Sequence, residues 1–138
     1  MIHETNLGWK GGMAFETNLD GHSLTIDAGS QNGGQDKGMR PKKLLLTALA
    51  GCTAMDVVMI LNKMKVEVED LNIKTIGDVT DEHPKQYTNI KLVYQFKGKN
   101  LDLKKLERAV GLSQNKYCGV SAVLAKAVNL SYEIEILD

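Results

Sequence analysis

The sequence predicts an α+β domain, and three observations predict it. Residues 44–61, LLLTALAGCTAMDVVMIL, form an apolar run long enough for one helix. Two segments, TNIKLVYQFKG (88–98) and LSYEIEIL (130–137), alternate apolar and polar residues as strands do. The elements fall in the order ββ–α–ββ–αα–β, which suits antiparallel sheets around a long buried central helix.

Taken in order, WKGGMAF (9–15) and SLTID (23–27) read as a hairpin turning at Asp20-Gly21. AGSQNGGQDKGMR (28–40) is rich in glycine and polar groups and reads as a surface loop. Pro41 opens the helix over 41–64, because a first helical residue has no intrahelical N–H bond to lose. VEVEDLNIKTIGDVT (66–80) and 88–98 form an antiparallel pair across a turn at Glu82-His83-Pro84, with Ile90, Leu92, Tyr94 and Phe96 on one face. Residues 102–115 carry Leu103, Leu106 and Val110 at helical spacing. A break at Lys116–Gly119 precedes a short helix over 120–128, and 130–137 closes the chain.

The chain has 138 residues, 43% hydrophobic, which fits a single domain spanning 1–138. Seventeen basic residues balance seventeen acidic ones, so there is no surplus of positive charge for nucleic acid. The run at 44–61 barely reaches the length of a membrane span, and Asp56 within it opposes insertion. With no signal-peptide pattern at the start, the expected setting is cytoplasmic. A helix apolar on all sides needs more cover than one chain supplies, which predicts a homodimer.

His3, His22 and His83 are scattered, giving no metal site, and no cofactor is expected. GSQNGGQDKG lacks the spacing of a phosphate loop. Trp9 and Phe15 are candidate pocket walls as well as candidate core. The two cysteines, 66 positions apart, are the remaining reagents. Cys118 precedes a helix start, where amide groups and Lys116 favour a thiolate. Cys52 lies well inside its helix, where burial raises a thiol's pKa, and by itself it reads as packing more than as a nucleophile. Asp56, one turn later, adds a negative neighbour unless it is paired.

PKKLLLTALAGCTAMDV (41–57) together with YCGVSAVLAKA (117–127) resembles the OsmC/Ohr family of osmotically inducible and organic hydroperoxide resistance proteins. Pro41 to Cys52 has the family's spacing, and Cys118-Gly119-Val120-Ser121 matches its Cys-Pro-Val-Ser with glycine for proline. The resemblance implies an intertwined homodimer with sites at the subunit interface. It also implies a thiol peroxidase acting on organic hydroperoxides and hydrogen peroxide, with Cys52 peroxidatic and Cys118 resolving. A small dithiol or lipoyl-type reductant would reopen the disulfide.

The family's activating arginine and its glutamate partner have no counterpart here: Lys42 follows Pro41, and residues 1–39 hold no arginine. Lys10, Lys37, Arg40 and Lys42 are the candidate cations. The alternative on the same scaffold is a non-catalytic or redox-sensing protein that binds a small apolar or anionic ligand at the dimer interface.

Overall fold

The structure, a computed structural model, describes residues 1–137. It is an α+β fold with two small three-stranded sheets, and it divides into Met1–Leu45 and Leu46–Asp138.

In the first unit, β1 (Leu7–Trp9), β2 (Phe15–Leu19) and β3 (His22–Ile26) are antiparallel. The expected strand over 9–15 is interrupted, because Gly11 and Gly12 both take positive φ and fold the chain into a tight turn. The Asp20-Gly21 turn stands as expected. Both residues have positive φ, and Leu19 pairs with His22 across the two-residue connection, the geometry that matches strand twist.

Residues 28–38 are more organised than their composition suggests. Asp27 is buried, and its carboxylate accepts from the amides of Ala28 (2.7 Å), Lys37 (3.1 Å) and Gln35 (3.3 Å). Desolvation pushes the Asp27 carboxyl up, but these three amides and the Arg40 charge outweigh it and hold its pKa below the usual value.

Helix α1 (Pro41–Lys63) begins as predicted. Its buried residues, Leu49, Thr53, Val57, Ile60 and Leu61, form one stripe at helical spacing. They share a core with Ile90, Leu92, Tyr94 and Phe96 of the second sheet and with Leu106, Ala109 and Val110. The opposite stripe is uncovered, with Met55 76%, Val58 47% and Met59 50% exposed. The helix expected to be buried on nearly every side is therefore buried on one side within a single chain. Within the second unit, one sheet and two short helices pack on it. Its length and composition would suffice to cross a membrane, but its polar buried residue, Thr53, is bonded into the protein core.

The second sheet runs β4 (Asp70–Val79), β5 (Tyr87–Lys97), β6 (Asn129–Leu137). β4 starts later than expected. Lys65 takes positive φ and the Val66 amide closes onto the Leu61 carbonyl at 2.9 Å, so 65–69 ends α1 before pairing begins. β4 and β5 are antiparallel, whereas β5 and β6 are parallel, which corrects the expectation of purely antiparallel sheets. A parallel neighbour needs a crossover, and α2 (Leu103–Leu112) and α3 (Gly119–Leu124) supply it. Asp102 caps α2, accepting from the Lys104 amide at 3.0 Å. The helical pattern predicted to 115 stops at 112 because Ser113–Tyr117 widen into a π turn, closed by the Cys118 amide on the Ser113 carbonyl at 2.7 Å.

Candidate functional site

The two cysteines lie together in the second unit. Cys52 is half-buried on the inner part of α1, and Cys118 caps α3 with only 3% of its surface exposed. Both thiols are free, and Cys118 lies close enough to Cys52 to push its pKa up. A sequence separation of 66 residues is closed by the crossover, which returns the chain to α1 just before β6.

The first turn of α3 serves both sulfurs. The Val120 amide works to lower the Cys52 pKa, and the Ser121 amide donates to the Cys118 sulfur at 3.4 Å. Cys52 gets no help from its own helix dipole, yet it meets an amide from a different helix start. Burial nevertheless dominates and raises the Cys52 pKa, with Cys118 and Asp56 pushing the same way against the Val120 amide.

Beside the thiols runs a buried polar chain. Thr53, next to Cys52, lies 2.7 Å from the Tyr94 hydroxyl and 2.7 Å from the Ser113 hydroxyl. Ser113 donates to the Asp56 carboxylate at 3.0 Å, so Asp56 is paired with a hydroxyl. Gln114 donates to Tyr94 at 2.8 Å and to Thr53 at 3.2 Å.

The direction of the chain follows from counting protons. Ser113 has one, given to Asp56, so Thr53 donates to Ser113 and Tyr94 donates to Thr53. Burial, working against the Thr53 and Gln114 bonds, pushes the Tyr94 hydroxyl up to about 12. It is therefore a proton-bearing donor at neutral pH.

Residues 34–133 match the family model described as OsmC-like protein. The chain belongs to the OsmC-like family. It is 34% identical over 135 residues to Protein YhfA of Escherichia coli, covering 97% of this chain and 98% of that one. A solved hypothetical protein of Aquifex aeolicus superposes with a TM-score of 0.84 at 33% identity, covering 100% of this chain and 99% of that one. An OsmC organic hydroperoxide resistance protein of Legionella pneumophila shares the fold, with a TM-score of 0.70 at 17% identity and 98% of each chain covered.

The four candidate cations all lie in Met1–Leu45, whereas the thiols lie in Leu46–Asp138. Arg40 is held by Asp36 at 2.7 Å and by the Gly38 carbonyl at 2.9 Å. The Lys37 amide braces Asp27, and Lys10 is exposed. Lys42 is engaged with its surroundings as well. Arg40 also borders a pocket of about 300 Å³ walled by Met13, Phe15 and Ile26. Trp9 is not part of that wall; its indole donates to the Gly12 carbonyl at 2.9 Å and is largely exposed. Lys116, expected to favour the Cys118 thiolate, sits 5.2 Å over the Tyr117 ring.

Proposed function

We propose that the protein is a thiol-dependent peroxidase that reduces organic hydroperoxides and hydrogen peroxide, with Cys52 peroxidatic and Cys118 resolving. The single observation that carries this reading is the proximity of two free thiols, Cys52 and Cys118, at the start of α3. Cys52 is the more exposed of the two and so the one a peroxide reaches first.

Chemically, the Cys52 thiolate attacks the distal oxygen of ROOH. An S–O bond forms, the O–O bond breaks, and the alkoxide leaves as alcohol after taking a proton. The Cys118 thiolate then attacks the Cys52 sulfur of the sulfenic acid. The S–S bond forms, and the departing hydroxide takes a proton to leave as water. A dithiol, small or lipoyl-type, returns the two electrons by disulfide exchange. Such a cycle fits a reducing, cytoplasmic setting.

The exposed stripe of Met55, Val58 and Met59 supports a homodimer, since contiguous apolar surface of this kind marks an interface. A charge placed there, as in Met59→Lys, is expected to shift the protein to monomer in sedimentation; an unchanged dimer would refute that face. The cation that lowers the Cys52 pKa comes, on this reading, from Lys10, Lys37, Arg40 or Lys42 in the assembled protein.

A second reading, a binding protein for a small apolar or anionic ligand, is favoured by the apolar pocket beside Arg40. Turnover separates the two. Wild type with dithiothreitol should consume cumene hydroperoxide well above the rate with free dithiol, and Cys52→Ser should abolish the excess. Equal rates for the two proteins would overturn the peroxidase reading.

A further inference from the structure

The polar chain beside the thiols links the two cysteines through their neighbours, and it does so by short bonds in a buried place. Thr53 follows Cys52 on α1. Its hydroxyl bonds Ser113 at 2.7 Å, and the Ser113 carbonyl accepts the Cys118 amide at 2.7 Å. Two hydrogen bonds therefore connect the backbone beside one thiol to the backbone that bears the other. Thr53 and Ser113 are both fully buried, and Asp56 and Tyr94 terminate and feed the chain.

A π turn is a strained, widened helical turn, seen mostly as a single local feature at functional sites. Here it is the segment that carries Cys118 to its place, and its first two residues are the ones the chain grips, Ser113 and Gln114. An ordinary α-helical continuation would close on a different carbonyl and rotate the residue that follows. The bonded chain and the π turn thus fix one quantity, the placement of Cys118 against Cys52.

We infer that the Asp56–Ser113–Thr53–Tyr94–Gln114 chain is a latch that positions Cys118 for disulfide formation with Cys52. Its kinetic consequence rests on the peroxidase reading; its effect on disulfide equilibrium does not. Thr53 and Ser113 are positioning residues. They touch neither peroxide nor sulfur, and act by raising the effective concentration of one thiol at the other.

The test compares Thr53→Val, which keeps the shape and removes the hydroxyl, with Thr53→Ser, which keeps the hydroxyl. The first readout is the Cys52–Cys118 disulfide equilibrium against oxidised and reduced dithiothreitol, which needs no peroxidase activity. Of the three bonds that Thr53→Val removes, the one to Ser113 leads to Cys118; its loss should lower the effective concentration about tenfold, while Thr53→Ser stays within about twofold. The second readout uses cumene hydroperoxide. Thr53→Val should leave the rate of Cys52 oxidation within about twofold but slow resolution about tenfold, so that Cys52 sulfinic acid accumulates.

Tyr94→Phe removes the far hydroxyl with the ring retained and should shift both readouts the same way by less. This variant keeps the question answerable if Thr53→Val fails to fold. The latch is overturned if Thr53→Val, or in its place Tyr94→Phe, matches wild type in the exchange equilibrium. It is equally overturned if Thr53→Ser is as impaired as Thr53→Val. A wild type that forms the disulfide readily but does not consume peroxide defeats the peroxidase reading and leaves the exchange equilibrium to judge the latch.

Discussion

The backbone amide of Val120 works to lower the pKa of Cys52, although the two residues belong to different helices. The start of α3 thus provides to Cys52 what α1 cannot. The amide of the next residue, Ser121, donates to the Cys118 sulfur at 3.4 Å.

That single amide is outweighed by burial and by the charges of Cys118 and Asp56, so the second unit by itself holds the Cys52 pKa above the ordinary thiol value. Its labelling by iodoacetamide, read by mass spectrometry at Cys52, should therefore rise with pH. Asp56→Asn removes one opposing charge and should move the midpoint down. Removing the activating cation, tested with Arg40→Ala and Lys42→Ala, should move the midpoint up. A midpoint that rises in Asp56→Asn would contradict the electrostatics described.

Gly119 is the first residue of α3, and a Cβ built on it meets nothing within 4 Å. The preceding Cys118 is extended, at φ −74° and ψ 104°, which suits a residue before proline. Gly119→Pro is expected to stabilise the protein by about 0.4–1 kcal/mol through the unfolded chain. The thiol pair should remain intact. A lowered midpoint in urea unfolding would show that this turn needs the glycine.

Asp27 organises residues 28–38 as a carboxylate, with a folded pKa depressed below its usual value. The sign follows: its contribution is present above about pH 4, the unfolded value, and is lost as pH falls through the folded value. Thermal midpoints measured from pH 6 downward should fall on that limb for wild type and fall less steeply for Asp27→Asn. Parallel curves for the two proteins would contradict the role assigned to this carboxylate.

Much of the second unit is legible in the sequence. The alternation of Ile90, Leu92, Tyr94 and Phe96 names the buried face of β5, and Pro41 marks the start of α1. The parallel partner of β5 is not legible, because alternation fixes which side chains share a face and says nothing of strand direction. The uncovered stripe of α1 is hidden for a related reason: Met55 and Val57 are equally apolar, and only the tertiary fold decides which is buried.

At the site, the two cysteines stand out by chemistry and by their resemblance to two motifs in register. Thr53, Ser113 and Gln114 do not. Each is an ordinary polar residue in a helical pattern, and its meaning arises only when α1 meets the π turn. Polar residues at core-facing positions, as Thr53 is with Leu49 and Val57, are the one signal that pointed there.

The most direct measurement is the product of one equivalent of cumene hydroperoxide, read by mass spectrometry after rapid quenching. The account predicts a Cys52–Cys118 disulfide within single chains of wild type. In Cys118→Ser it predicts a sulfenic acid at Cys52 that dimedone traps, and in Cys52→Ser no oxidation at Cys118. Sulfenic acid at Cys118 in Cys52→Ser, or a wild type whose thiols both remain reduced, would contradict it.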